Sequence, residues 1–247
     1  MTESFDVVAA AGGDGTVNRV LTGMLVASPK NTPALGIVAL GTANDFSRAC
    51  HLPINEPAAA LDILFTGRTQ SVDAGRINDG YFINASVIGL GADATRRTTG
   101  ARKRVLGAFA YMVAGVAAAV SGKRYAGAFS LPGERFDADA MFTTVSNGAF
   151  AGGVRIAPRA RLDDGLLDVV MIPKVPPHRM GRLIQDFLKL RRGLEPDYIR
   201  YRQVPWIEVE AADDLPVSPD GRHVTGRRFR FEAMDRRLPV VMPACAS

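Results

Sequence analysis

Residues 6–20 read DVVAAAGGDGTVNRV, a short apolar run followed by a glycine turn and the first residues of a helical pattern. Gly12, Gly13 and Gly15 allow the backbone to approach a phosphate group with no Cβ in between. Free N–H groups and the positive end of the helix dipole complete an anion site. Asp14 is unusual there, because a carboxylate beside phosphates needs a cation or a sugar hydroxyl as its partner. The stretch predicts a phosphate-binding turn, with a plain strand-to-helix connection as the alternative.

The first third of the chain alternates between strand and helix patterns. After the opening turn, apolar residues recur at helical spacing over 17–25, and ALGIVAL at 34–40 is typical of a buried strand. A helix is predicted over 56–67, with proline in its first turn and glycine at its end. Strands that alternate with helices predict a doubly wound parallel sheet.

From residue 78 the pattern changes to strand-like runs separated by turn signals such as PGE and PDG. Two helical patterns interrupt these runs, at 105–120 and at 178–192. The sequence therefore predicts an incomplete α/β domain over 1–77 and a mostly antiparallel β domain with helices over 78–235. It leaves open whether the tail 236–247 returns to the first domain.

The composition restricts the class of partner. The 247-residue chain carries a net charge of +5, which suits anionic partners such as nucleotides or acidic lipids. Its basic residues cluster at 96–104, 189–192 and 227–230, but solvated faces explain such clusters equally well, and no nucleic-acid motif accompanies them. Two cysteines without a CxxC pair, and three scattered histidines, indicate a reducing, cytoplasmic location and no histidine metal site.

Two stretches imitate functional motifs. GLGADA at 89–94 matches a dinucleotide turn, but no acidic residue follows about twenty positions later, so it is interpreted as a packing turn. The apolar run 105–120 has sixteen residues, fewer than the roughly twenty of a membrane span. A buried or groove-lining helix is favoured over one that lies on a lipid surface. The start of the chain does not have the features of a signal peptide.

Five stretches together resemble the diacylglycerol kinase catalytic-domain family, and within it the soluble bacterial lipid kinases. They occur in the family's order and cover nearly the whole chain; they are GGDGTVN at 12–18, LGTANDFSR at 40–48, FINASVIGLGADA at 82–94, SNGAFAGGVRIAPRARLDDGLLDVV at 146–170 and SPDG at 218–221. The resemblance implies an α/β nucleotide-binding domain, a C-terminal β-sandwich domain and an ATP site in the cleft between them.

The same resemblance implies roles for particular residues. The ATP phosphates would be held by the turn and the helix start, namely Gly12, Gly13, Asp14, Gly15, Thr16, Val17 and Asn18. Thr42 would contact the nucleotide, with Asn44 and Asp45 forming the same wall. A structural Mg²⁺ would be bound by the Asp164 carboxylate and by the carbonyl oxygens of Arg161 and Leu166, a donor set that hard cations favour.

The implied reaction transfers the γ-phosphoryl group of ATP to a lipid alcohol such as diacylglycerol. Asp220 would accept the hydroxyl proton late in the step. A substrate of this kind also implies peripheral contact with an anionic membrane surface at the inner face of the membrane.

The chain departs from the family pattern at three places. Arg222 occupies a position where the family has glutamate, and arginine cannot act as a base at neutral pH. Arg19 stands where an acidic residue is usual. The strand and the asparagine-containing turn that precede GGDGT in the family are not seen here, so the chain is expected to be N-terminally shortened.

These departures leave three hypotheses open. The first is an active, Mg²⁺-dependent lipid kinase, and the second is a relative that binds lipid or nucleotide with little or no turnover. The third is an enzyme of the NAD kinase type, which GTANDF at 41–46 and the stretch 157–170 disfavour. The lipid's identity and the oligomeric state are not encoded in these patterns.

Overall fold

The computed structural model describes residues 5–27, 32–89, 92, 125–234 and 238–244. The predicted 105–120 helix lies outside the described residues, and so does most of the predicted packing turn at 89–94. Within the described part, the strands form a four-stranded sheet, a nine-stranded sheet and a separate two-stranded hairpin. No helix in that part is long and apolar enough to cross a bilayer.

The four-stranded sheet has the order β1-β2-β15-β3. Its strands are β1 (Val7–Gly12), β2 (Ala34–Ala39), β3 (Arg68–Val72) and β15 (Leu238–Met242). Strand β1 pairs parallel with β2, as the alternating pattern predicts. Strand β15, whose return to this domain the sequence left open, pairs parallel with β2 and antiparallel with β3. All six residues of β2 are buried, as expected for a central strand of an α/β sheet.

Three helices accompany this sheet: α1 (Asp14–Ala27), α2 (Asp45–Ala49) and α3 (Pro57–Thr66). Helix α1 turns one apolar face onto the sheet, and Leu21 is fully buried there. Strand β15, from the end of the described chain, lies between β2 and β3. Its Leu238 and Val240 are buried in the same core as Leu21, so residues from both ends of the chain build one hydrophobic core.

The large sheet is antiparallel and closes around a second core, as predicted for the C-terminal part. Its strands are β4 (Gly75–Ile77), β5 (Gly80–Phe82), β6 (Ala85–Gly89), β7 (Tyr125–Leu131), β8 (Glu134–Ser146), β11 (Leu167–Pro173), β12 (Arg200–Val204), β13 (Trp206–Pro219) and β14 (Val224–Ala233). The long strands β8 and β13 both pair with β6 at one end and with β7 at the other. This double pairing folds the sheet into a sandwich, and Phe82 packs edge-to-face on Phe231 inside it.

Helix α4 (Met180–Arg191) follows a 3₁₀ turn (Pro177–Arg179) and covers one outer face of the sandwich. Its Leu183 and Leu190 are buried against residues that include Val170 and Tyr201. The hairpin of β9 (Phe150–Ala151) and β10 (Val154–Arg155) lies between β8 and β11 in the chain and contacts α2.

The ends of β1 and β2 are held together by a backbone contact between two glycine turns. The N–H of Leu40 donates to the carbonyl oxygen of Gly12 at 2.9 Å. A Cβ at Gly41 would lie 2.3 Å from the Cα of Gly13, closer than real Cβ contacts occur. The two turns are therefore in direct backbone contact at these residues, which requires glycine at position 41.

We expect Gly41→Ala to destabilise the protein by about 1–3 kcal/mol, because the backbone atoms of Gly13 cannot rotate away from the added methyl group. Urea unfolding of the purified variant measures this change. Gly23→Ala is the matched control, since its Cβ would meet nothing within 4 Å in the interior of α1. That control should gain about 0.5–1 kcal/mol. Equal stability of the two variants would contradict the role assigned to Gly41.

Candidate active site

The carboxyl ends of the parallel strands β1 and β2 lead directly into the two turns that the sequence singles out. Asn44 lies in the left-handed region, with φ 49°, and its side chain closes the second turn. Its Oδ1 accepts the N–H of Gly41 at 2.9 Å, and its Nδ2 donates to the carbonyl oxygen of Gly41 at 2.9 Å. Thr42 is exposed at the tip of this turn, and Gly15 is exposed at the start of α1. Both positions are accessible to a ligand.

Asp14 links the two turns through a hydrogen bond. Its Oδ1 accepts the backbone N–H of Phe46 at 3.3 Å, at the start of α2. The sequence suggested a cation or a sugar hydroxyl as the partner of Asp14, and the structure adds a backbone amide that the sequence did not reveal. The carboxylate also lies close enough to Asp45 and Asp220 to raise the pKa of both.

Asp45 connects the first domain to the sandwich. Its buried carboxylate accepts the N–H groups of Gly152 and Gly153, each at 2.6 Å, in the turn between β9 and β10. Burial raises the pKa of Asp45 to about 6 and repulsion from Asp14 adds to it, while the two amide hydrogen bonds act in the opposite direction.

Asp220, the predicted proton acceptor, occupies a left-handed turn with φ 43° directly after β13. Its Oδ1 accepts the N–H groups of Asn84 at 3.1 Å and Ala85 at 3.0 Å. Its Oδ2 accepts the N–H of Ile83 at 2.7 Å and the Nδ2 of Asn18 at 2.8 Å. A carboxylate has about four acceptor positions, and all four are filled here. Burial of the carboxyl group, followed by repulsion from Asp14, raises its pKa to about 6.

Asn18 brings the first glycine turn and the Asp220 segment together. The side-chain nitrogen of this buried residue donates to Asp220 and, at 3.3 Å, to the carbonyl oxygen of Tyr81. The resemblance assigned Asn18 to the phosphate cradle, and the structure shows its amide directed toward the sandwich. Helix α1 is thereby attached to the sandwich near its start.

Strand register explains why three separate motifs meet at this point. Ala85 of β6 pairs with Ser146 of β8, and Ser86 of β6 pairs with Pro219 of β13. The residues just past these ends are Asn84, Asn147 and Asp220, so the pairing places all three together.

Asn147 adds two hydrogen bonds that the sequence did not predict. Its Nδ2 donates to the carbonyl oxygens of Asp73 and Ile83, both at 2.8 Å. Asn84 likewise donates from Nδ2 to the carbonyl oxygen of Phe150 at 2.7 Å. Both asparagines lie inside motif stretches, and this was the one sequence feature that pointed to them. Their hydrogen-bond partners are distant in sequence and could not be predicted.

The predicted Mg²⁺ loop lies beside the first domain. Asp73 is buried and accepts the N–H of Gly165 at 2.6 Å, and its own N–H donates to the carbonyl oxygen of Leu162 at 2.6 Å. Asp164 accepts the N–H of Leu166 at 3.0 Å. The pKa of Asp164 is raised by burial and then by the nearby Asp73 and Asp163 carboxylates. Asp73 lies outside the five motif stretches, so no local pattern connects it with this loop.

The acidic groups and the loop carbonyls supply oxygen donors of the kind that Mg²⁺ prefers, and the repulsion at Asp164 would be relieved by a cation. Among residues 5–27, 32–89, 92, 125–234 and 238–244, however, no three His, Cys, Asp or Glu side chains converge in a way that could hold a metal ion. The donor set that the resemblance implies combines the Asp164 carboxylate with the carbonyl oxygens of Arg161 and Leu166.

The two unexpected arginines both lie on the surface. Arg19 is exposed on α1, one residue after Asn18. Arg222 is exposed after Asp220, and its guanidinium lies across the β4–β5 turn, 2.7 Å from where a Cβ at Gly80 would be. The side chain at the position where the family has glutamate therefore packs against this hairpin.

Comparison with known proteins follows the division seen in the fold. The family model of the diacylglycerol kinase catalytic domain matches residues 1–77. The model of the YegS C-terminal NAD kinase beta sandwich-like domain matches residues 86–242.

Two curated relatives match over almost the whole chain. A protein of Pseudomonas aeruginosa UCBPP-PA14 named "Probable lipid kinase YegS-like" is 37% identical over 99% of this chain and 79% of its own length. A diacylglycerol kinase of Staphylococcus aureus Newman is 31% identical over 98% of this chain and 76% of its own length. The chain therefore belongs to the family of YegS-like lipid kinases and bacterial diacylglycerol kinases.

Solved structures show the same fold. A diacylglycerol kinase from Bacillus anthracis Sterne superposes with a TM-score of 0.72 at 22% identity, covering 98% of this chain and 78% of that one. An NAD kinase from Archaeoglobus fulgidus in complex with ATP superposes with a TM-score of 0.51 at 16% identity, covering 96% and 78%. Together with the family membership, this fold makes the chain a kinase-type protein with an α/β domain and a β-sandwich.

The pKa of Asp45 generates a prediction for the pH dependence of stability. A folded-state pKa of about 6, against 3.8 for an ordinary aspartate, means that the fold favours the protonated carboxyl group. The resulting contribution of about 3 kcal/mol is present below about pH 4 and is lost as the pH rises through about 6.

In Asp45→Asn this titration is absent, so the difference in unfolding free energy between wild type and variant should change by about 2 kcal/mol from pH 4 to pH 7. Urea titrations at several pH values measure it. Asp137→Asn, at an exposed position on β8, is the control and should leave the pH dependence as in wild type. A constant difference for Asp45→Asn across this range would refute the assignment.

Proposed function

We propose that this protein is a lipid kinase that transfers the γ-phosphoryl group of ATP to the hydroxyl group of a lipid alcohol such as diacylglycerol, with Mg²⁺ required. The observation that supports this most directly is the convergence of the two glycine turns and the Asp220 segment. They come from different domains and meet through the hydrogen bond between Asn18 and Asp220. A phosphate site and a buried carboxylate are thereby brought to one cleft.

The ATP phosphates are proposed to bind at the first turn, along the backbone of residues 12–18. Helix α1 begins at Asp14, so the first N–H groups of the helix and its positive dipole end face this turn. Thr42, exposed on the second turn, is proposed to contact the nucleotide, with Asn44 fixing its loop. Positioning of this kind supplies most of the catalysis in phosphoryl transfer.

Asp220 is proposed to accept the proton of the lipid hydroxyl. A pKa raised to about 6 places the group nearer to working pH than an ordinary aspartate, which favours general-base catalysis. Because four donors already occupy its oxygens, one hydrogen bond must be exchanged for the substrate hydroxyl. The side chain of Asn18 is the partner best able to move, because the other three donors are backbone amides of one strand entry.

The Mg²⁺ loop is proposed to bind its ion through Asp164 and the carbonyl oxygens of Arg161 and Leu166. When bound, the cation would neutralise the carboxylates of this loop. Asp73 already orients the loop by accepting the N–H of Gly165. This arrangement supports a structural role for the bound ion, next to the proposed cleft.

The remaining proposals concern organisation and location. We assign residues 1–77 and the tail 236–247 to the ATP-binding domain, and 78–235 to the sandwich. A lipid substrate and a net charge of +5 support a cytoplasmic protein that works at the anionic inner face of the membrane.

One observation favours a second candidate function. Arg222 replaces the family's glutamate, and the four filled acceptor positions of Asp220 suit a group that organises the cleft without taking a proton. The alternative is a relative that binds nucleotide or lipid with little turnover and acts through that binding.

For the kinase, Asp220→Asn should lower kcat at least about 100-fold, because general-base catalysis contributes about 10²–10⁴. Transfer of label from γ-labelled ATP to short-chain diacylglycerol in Mg²⁺ measures it, and the wild-type rate should rise with pH through about 6. EDTA should abolish the transfer.

Asp213→Asn, at an exposed position on β13, is the matched control and should retain wild-type kcat. Thermal unfolding of each variant separates lost catalysis from lost structure. Undiminished transfer by a folded Asp220→Asn protein would exclude Asp220 as the base, and absence of transfer by wild type across a panel of lipids would reject the kinase.

The second candidate predicts that wild type binds ATP or lipid vesicles but shows little transfer. Arg222→Glu should then raise the transfer rate at least tenfold, since it restores a carboxylate two residues after Asp220. The control Arg227→Glu makes the same charge change on β14 and should have no such effect. If Arg222→Glu has the same transfer rate as wild type, the arginine at this position is not the cause of low turnover.

A further inference from the structure

Helix α4 and the turn after it expose an apolar stripe on the outside of the sandwich. Ile184 and Leu188 are one helical turn apart and are 44% and 45% exposed, and Leu194 is 55% exposed. The opposite side of the same helix is already occupied by packing, because Leu183 and Leu190 are buried against the sandwich. The outward stripe is therefore additional to what the core requires.

The end of α4 holds this stripe in a fixed shape. Gly193 has φ 74°, its N–H donates to Leu190 at 2.9 Å, and the N–H of Leu194 donates to Lys189 at 3.0 Å. This pair of bonds is a Schellman motif, which returns the chain beside the helix. The buried carboxylate of Asp186 then accepts the N–H groups of Tyr198 and Ile199. Leu194 is thus held close to the helix by a rigid connection.

Two arginines border the stripe with unbalanced charge. Arg191 and Arg192 are exposed, and within the part of the chain that the structure describes neither forms an ion pair. The nearby acidic residues already have cationic partners, since Glu195 pairs with Arg159, and Asp197 pairs with Lys189 at 2.7 Å. The local field beside the stripe is therefore positive.

The basic cluster on β14 is different. Arg227, Arg228 and Arg230 form ion pairs with carboxylates of β13 and β14, which are Asp214, Glu210, Glu208 and Glu232. Their charges are largely balanced within the sheet. Of the three basic clusters in the sequence, 96–104 lies outside the described residues, and the cluster on α4 combines unpaired arginines with exposed apolar side chains.

We propose that the α4 surface, defined as Ile184, Leu188, Arg191, Arg192 and Leu194, docks the protein onto a bilayer that contains anionic phospholipids. Apolar side chains that enter the headgroup region, next to arginines that pair with lipid phosphates, are the chemistry of an interfacial helix. The inference rests on the proposed function, since a kinase that acts on a membrane lipid must reach the bilayer. Three apolar side chains and two arginines support weak, reversible attachment.

Co-sedimentation with vesicles tests this surface without any kinase reaction. Wild-type protein should bind vesicles of phosphatidylglycerol and phosphatidylcholine, bind pure phosphatidylcholine far more weakly, and dissociate in high salt. Arg191→Ser combined with Arg192→Ser should weaken binding to anionic vesicles about 30-fold, at about 1 kcal/mol for each basic residue near the surface. Ile184→Ser combined with Leu188→Ser should weaken it at least tenfold.

Each double variant has a matched control. Arg227→Ser combined with Arg228→Ser changes the net charge equally and should bind as wild type. Leu61→Ser combined with Phe65→Ser removes two exposed apolar side chains, also four residues apart, from α3 and should likewise bind as wild type. Thermal unfolding and label transfer to short-chain diacylglycerol show whether each variant is folded.

Loss of vesicle binding in both α4 variants but in neither control would support the proposal. The proposal would be overturned if wild-type protein did not bind anionic vesicles, if the α4 variants bound them as wild type does, or if the controls lost as much affinity as the α4 variants. Wild-type dimers that become monomers in Ile184→Ser/Leu188→Ser, with vesicle binding intact, would also overturn it and assign the stripe to a second copy. Anionic vesicle binding that depends on α4, in a protein without kinase activity, would support the docking surface while rejecting the proposed function.

Discussion

The carboxylate of Asp220 is the interaction on which the arrangement of the two domains depends. A buried carboxylate is costly unless hydrogen-bond donors replace water, and here three consecutive backbone amides and one side-chain amide do so. The amides belong to the entry of β6, and the side chain belongs to α1. Satisfying one charge therefore aligns the sandwich with the start of α1 in the α/β domain.

A second carboxylate contact limits how far the sandwich can rotate about the contact between Asn18 and Asp220. Asp45, at the start of α2, accepts hydrogen bonds from two glycine amides of the β9–β10 turn, at a point separate from the Asp220 contact. Two separated attachments determine orientation better than one, because each blocks a movement that the other allows. Asp14 lies near both and raises both pKa values, so electrostatic repulsion is concentrated where a cationic or phosphate-bearing ligand would alter it most.

The basic clusters on β14 and at the end of α4 differ in their ion-pair partners more than in their number of charges. Arginines of β14 stand opposite glutamates of β13 across a hydrogen-bonded strand pair, since Arg228 pairs in register with Glu210 and Arg230 with Glu208. Such ladders balance charge within the sheet. Helix α4 ends at Arg191, and the turn at Gly193 leaves Arg191 and Arg192 beside exposed leucines. The two clusters look equivalent in sequence and differ only once their neighbours are known.

The sequence by itself determined the local elements and the family. Glycine turns after apolar strands predicted the ends of β1 and β2, alternation predicted the parallel pairing of β1 with β2, and the spacing of turn signals predicted an antiparallel second half. The five motif stretches identified the family. These features rest on local patterns, because periodicity and turn chemistry are readable from residues close to one another in the chain.

Only the tertiary structure decided which groups those residues contact. The partner of Asp220 on α1 is 202 positions away, the amides that bind Asp45 are more than 100 positions away, and Asp73 reaches Gly165 across 92 positions. No local pattern encodes such distances, because they follow from strand register and from packing of the two sheets. The antiparallel pairing of β3 with β15 has the same origin. So does the charge at the end of α4, which has no ion-pair partner within the described part of the chain, because both features depend on what the completed fold places beside them.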